Sequence, residues 1–139
     1  MSTAVAVWPG FALRKASQRF AAMAEEMLGP SGLTLRHFGV LCSVHAEPGQ
    51  NQRVIGERLR IDRSSVVTIL DDLERAGLLQ RRRADRRTFA LHLTDAGAER
   101  LSELEAIMAR LHAEFLAPLS PAEQTVLREL LIRLAEGRA

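Results

Sequence analysis

The most concentrated chemistry of the chain lies between Gln80 and Thr88. The sequence there reads QRRRADRRT, and five arginines, Arg81, Arg82, Arg83, Arg86 and Arg87, surround the carboxylate of Asp85. A guanidinium stays charged and presents planar pairs of donors, so such a cluster suits a polyanion, a phosphate backbone above all. Upstream lies a smaller polar set, Arg63, Ser64 and Ser65, with Thr68 about one helical turn further on. These residue types, on the first turns of a helix, meet base edges and phosphates. Serine in that position also satisfies free helix amides, and the two roles are compatible.

Other kinds of chemistry find little footing. Cys42 is the only cysteine, which leaves neither an internal disulfide nor a multi-cysteine zinc site. It shares a helical stripe with Leu35, Phe38 and His45, and the chain has no tyrosine to partner it. A core thiol of raised pKa is therefore expected rather than a redox sensor. The histidines, His37, His45, His92 and His112, lack the spacing of three or four that builds a helix-borne metal site, so neither metal nor cofactor is expected. Convergence of His37 or His45 with His112 would be the one route to such a site. No serine-histidine-carboxylate, cysteine-histidine or glycine-rich phosphate arrangement has a local context, so no catalytic residue is assigned and no enzyme is expected.

These groups must be carried by a chain of 139 residues, about the length of one domain. The net charge of +2 is unevenly placed: residues 53–93 hold 10 Arg against 6 Asp and Glu, a balance of +4, and the remainder balances at −2. No apolar run approaches the ~18 residues that span a bilayer and the N-terminus lacks a secretory pattern, so no membrane association and a cytoplasmic location are expected.

Periodicity and capping signals divide the chain. Apolar residues at helical spacing over Phe11 to Met27 predict a first helix, ended by Gly29-Pro30-Ser31-Gly32. Thr34 predicts the start of a second, and Asn51 of a short third with Val54, Ile55 and Leu59. Asp62 caps a fourth, residues 62–76, whose Val66, Ile69, Leu70 and Leu73 face inward and whose Gly77 suits a left-handed end. A strand starts at Leu78 and Leu79, and Phe89, Leu91 and Leu93 alternate as the inward residues of a second. Thr94 caps a long helix through Phe115, and Ser120-Pro121-Ala122-Glu123 opens a last one with Leu127, Leu130, Leu131 and Leu134. The expected class is mainly α with a small β-hairpin, in the order α-α-α-α-β-β-α-α.

Two short helices followed by a basic hairpin make a winged helix-turn-helix. The second helix fits a major groove about 12 Å wide, and the hairpin reaches a minor groove. Arg81 to Arg83 lie on a strand, so alternation turns at least one of them away from DNA, and phosphate contact is the expected role of Arg81 and Arg83.

The stretch IDRSSVVTILDDLERAGLLQRR, with the wing pattern of Asp85, Arg87, Leu93 and Thr94, resembles the multiple-antibiotic-resistance repressor (MarR) family of bacterial regulators, and the resemblance covers nearly the whole chain. It implies a single unit over residues 1–139, with a DNA-binding region at 33–94 and dimerisation helices in 1–32 and 95–139. It also implies a homodimer on a pseudo-palindromic double-stranded operator, acting as a repressor. Arg86 or Arg87 would be the minor-groove finger, and the Asp85 carboxylate would orient it and shape the turn. A small aromatic or phenolic anion would release the DNA, and Arg14, Arg19 and His37 lie on the helices that would meet its carboxylate. The wing is shorter than the family's usual one, and Thr68 and Asp72 stand where many relatives carry basic residues. An alternative reading is a winged-helix module that binds protein or RNA, with the basic hairpin serving another acidic surface.

Overall fold

The computed structural model describes residues 1–139, and most of its helices begin where a side-chain oxygen accepts from a free backbone amide. Helix α1 (Thr3–Ala6) is a single turn capped by Ser2, and α2 (Pro9–Leu28) carries proline in its first turn, where the missing N–H has no helical partner to lose. The sequence reading differs here: it omits α1 and starts the first helix at Phe11. A four-residue turn is too short to show a period, and Pro9 reads as a breaker although it initiates α2. A 3-10 turn (Gly29–Ser31) leads into α3 (Leu35–Ala46), capped by Thr34. Asn51 caps α4 (Gln52–Leu59) and Asp62 caps α5 (Arg63–Arg75).

The wing follows. Strands β1 (Leu79–Arg83) and β2 (Phe89–Leu93) pair antiparallel, Leu79 opposite Leu93, Arg81 opposite Leu91 and Arg83 opposite Phe89. Gly77, at φ 75°, takes the left-handed step that turns α5 into β1. The wing's inner strand is also held from the other side, because Leu91 exchanges backbone hydrogen bonds of 2.9 Å with Gly49 and Gln50. Thr94 then caps α6 (Asp95–Phe115), accepting from the Gly97 N–H and donating to Gly77 O at 2.6 Å. Helix α7 (Pro121–Glu136) opens with the reciprocal Ser120–Glu123 box.

The core lies where α3, α5, α6 and the base of the wing converge. Val40, Leu41 and Val44 of α3, Leu70 and Leu73 of α5, and Leu104 and Leu111 of α6 are fully enclosed, with Leu79 and Leu91 closing the hairpin side. Two residues expected on apolar stripes point elsewhere: His45 is exposed, and Phe89 keeps 42% of its surface open. Alternation places Leu91 inward but leaves Phe89 beyond the edge of the core, beside the hairpin tip. Helix α7 buries none of its residues, and Val126, Leu130, Ile132 and Leu134 stand exposed on it. No helix is long and apolar enough to cross a membrane.

Candidate nucleic-acid interface

The polar face of α5 is organised by its N-cap. Asp62 accepts from Ser64 Oγ at 2.7 Å, Ser65 Oγ at 2.7 Å and Ser65 N–H at 3.0 Å, and these bonds, the Ser64 hydroxyl first, hold its carboxyl well below the usual aspartate range. Because Val66, Ile69, Leu70 and Leu73 are buried, Arg63, Ser64 and Thr68 face solvent, with Ser65 half-buried among them. Thr68 returns its hydroxyl proton to Ser64 O.

Backbone amides donating to one carboxylate shape the wing tip. Asp85 Oδ1 accepts from Arg87 N–H at 2.8 Å and Thr88 N–H at 2.9 Å, the Arg87 amide contributing most to a lowered carboxyl pKa. The carboxylate shapes the turn by fixing the backbone on which Arg87 stands, and it bonds no guanidinium. Arg83 braces the same turn, donating to Asp85 O and Arg86 O and lying 5.0 Å over the Phe89 ring. Arg81, by contrast, is largely taken up inside the protein. It bonds Asp71 at 2.6 Å, while its buried Nε stands 3.8 Å from Glu74, too far for a hydrogen bond. Arg81 was expected to contact phosphate, but alternation puts it on the face of β1 that turns toward α5, whereas Arg83 stays exposed at the wing tip. The guanidinium groups of Arg63, Arg86 and Arg87 have no partner in the chain and are exposed.

Arg63 and Arg87 line one concavity of about 670 Å³ between α4, the start of α5 and the wing, together with Asn51, Arg53 and Phe89. Arg53 and Phe89 are the members that sequence reasoning missed. The exposed first turn of α4 was a signal for Arg53, whereas Phe89 was hidden by its apolar type.

Arg14, Arg19 and His37 do not meet. Arg14 is exposed on α2, and Arg19 lies 5.6 Å over the ring of Phe115, which packs edge-on against Phe20. His37 is buried at the start of α3, with Thr34 on one ring nitrogen and Asp72 on the other. His112 donates to Met108 O and packs edge-on against Phe20. Cys42 is half-buried, and burial first, then Glu105, pushes its thiol pKa up, as the stripe predicted.

Residues 31–88 match the model of the MarR family. A regulatory protein ascribed to the hcr operon of Thauera aromatica is 34% identical over 128 residues, 90% of this chain and 77% of that protein. The PcaV transcriptional regulator of Streptomyces coelicolor, solved with its natural ligand, is 35% identical with a TM-score of 0.85, over 98% of this chain and 97% of that one. The transcriptional repressor CouR, bound to a 23-mer DNA duplex, is 34% identical with a TM-score of 0.86, over 91% of each chain.

Proposed function

Because the chain belongs to the MarR family of winged-helix transcriptional regulators, we propose that it acts as a homodimer that represses transcription from a pseudo-palindromic duplex operator and is released by a small aromatic or phenolic anion. The observation that carries this reading is the shared concavity in which the free Arg63 of α5 and the free Arg87 of the wing stand together. A helix in a major groove and a hairpin in the adjacent minor groove need that juxtaposition.

The residues then divide the work. Arg63 donates, which suits guanine O6 and N7. The hydroxyl protons of Ser64 and Ser65 are committed to Asp62, so these serines offer acceptors, which suit the amino groups of adenine or cytosine. Arg86 and Arg87 supply positive charge to the minor groove, while Arg81, Arg83 and Asp85 hold the hairpin that presents them. Residues 33–94 form the DNA-binding region, and 1–32 with 95–139 supply the dimer helices. In a two-fold dimer the recognition helices lie roughly 34 Å apart. An effector acts by binding better to a dimer whose helix spacing no longer fits successive grooves. Of Arg14, Arg19 and His37, we assign the effector's carboxylate to Arg14 and Arg19 on α2, because both ring nitrogens of His37 are already engaged. CouR on its duplex and PcaV with its ligand support the two halves of this reading.

The test is a fluorescence-anisotropy titration against the DNA upstream of the protein's own gene and against a shuffled duplex, at two salt concentrations. A preference of ~10³ for the native fragment, falling steeply with salt, is expected, and Arg87→Ala should weaken both duplexes and lower the salt slope by up to ~1. Absence of binding to either duplex would reject the reading in favour of a protein-interaction module.

A further inference from the structure

Helix α5 is held along one edge by a side-chain pair outside the residues assigned to DNA contact. His37, 9% exposed, closes the capping box of α3: its Nδ1 lies 3.1 Å from the Thr34 N–H, which can only donate, so Nδ1 accepts and the proton stands on Nε2. Nε2 then donates to Asp72 Oδ2 at 3.0 Å, across 35 residues of sequence. The other Asp72 oxygen accepts from Arg75 at 2.7 Å. Asp72 follows Thr68 by one helical turn and so lies on the same edge of α5 as the outward polar set.

Apolar packing of Val66, Ile69, Leu70 and Leu73 fixes the depth of α5, and Arg81 bonded to Asp71 ties one side of it to β1, whereas the edge that carries Thr68 is tied to α3 through Asp72. A buried donor on a charged acceptor is directional and costly to break. We infer that His37 is a positioning residue for the recognition helix: its bond to Asp72 latches the rotation of α5 to the start of α3, and so sets which base edges Arg63 and Thr68 face. The inference rests on the DNA-binding reading. The latch is also joined to α2 through a stiff corner, where Ser31 Oγ donates to Leu28 O and accepts from Leu33 N–H just before Thr34.

The substitution His37→Gln separates the two ends of the ring. Glutamine at the third helical position can close a capping box but has no second group for Asp72. Asp72→Ala removes the acceptor, and Asp72→Asn keeps an oxygen for Nε2–H. Each is titrated against a duplex selected by the wild-type protein from a random library and against its scrambled counterpart. His37→Gln and Asp72→Ala should each lower the ratio of the two affinities by roughly tenfold, with the salt slope unchanged. The double variant should be no worse than either single one, and Asp72→Asn should keep most of the preference. Amide hydrogen exchange of the free proteins should show faster exchange in α5 for both disruptive variants and unchanged exchange in α6. An unaltered ratio, or additive losses in the double variant, would overturn the latch. If the wild-type protein selects no sequence, the DNA-binding reading fails, and exchange alone decides the latch: faster in α5 it stands, unchanged it falls.

Discussion

At the scale of single residues, Asp62 joins the stability of α5 to the orientation of its first polar side chains. Its carboxylate caps α5 and holds the protons of Ser64 and Ser65, and those bonds lower its pKa. A carboxyl lowered in the folded state contributes stability that is fully present above the ordinary aspartate value of about 4 and is lost as pH falls through the lower folded value. Asp62→Asn keeps a capping oxygen but has nothing to titrate. The stability gap between the wild-type protein and this variant, measured by urea unfolding, should therefore narrow from pH 6 to pH ~3. A gap constant with pH would show that the serine bonds do not favour the ionised form. Asp62→Ala loses the cap outright and should lower the thermal midpoint by about 4 °C at neutral pH.

At the scale of elements, the decisive junction is where β1 leaves α5 and α6 leaves β2. Gly97, in the first turn of α6, passes so close to Leu78 that an added Cβ would stand 1.9 Å from the Leu78 carbonyl oxygen. The same carbonyl accepts from Thr94 N–H at 3.1 Å, so neither backbone can retreat without opening the base of the wing. Gly97→Ala should cost about 3 kcal/mol in urea unfolding. A change within about 0.5 kcal/mol, the range of ordinary surface substitutions, would mean the two segments yield. This junction also marks what the sequence can reveal. The starts at Thr34, Asn51, Asp62, Thr94 and Ser120 are legible because a cap is a contract between residues two or three apart, and the recognition face is legible because its apolar complement has a clear period. The bonds from Arg81 to Asp71 and from His37 to Asp72 join residues 10 and 35 apart, and nothing local announces them. One of the arginines read as a DNA contact, Arg81, is thus taken up between β1 and α5. Phe89 follows the right alternation yet ends outside the core, because alternation fixes a face and not how far the core extends beneath it.

At the scale of the whole molecule, the single chain leaves much apolar surface open at both ends of its sequence. Helix α7 encloses none of its residues, Leu134 is 71% exposed on it, and Trp8, next to the start of α2, is 63% exposed. Leu119, Val126, Leu127 and Leu130 line an apolar groove of about 390 Å³ along one side of α7. Apolar surface of this kind at both ends of the sequence fits a two-fold interface, in which each substituted residue acts twice. A glutamate on that face is then buried twice without a partner, and the dimer is lost before the core of either chain is touched. Leu130→Glu combined with Leu134→Glu should convert a dimer to a monomer in sedimentation equilibrium at micromolar concentration while the helical circular dichroism signal largely persists. The monomer brings one wing and one α5 to the duplex, so about half the phosphate contacts remain. Its slope of log affinity against log salt should fall to about half the wild-type value. A double variant that remains a dimer, or a monomer with the full salt slope, would show that the apolar ends of the chain have some other role and that a single chain carries the whole DNA footprint.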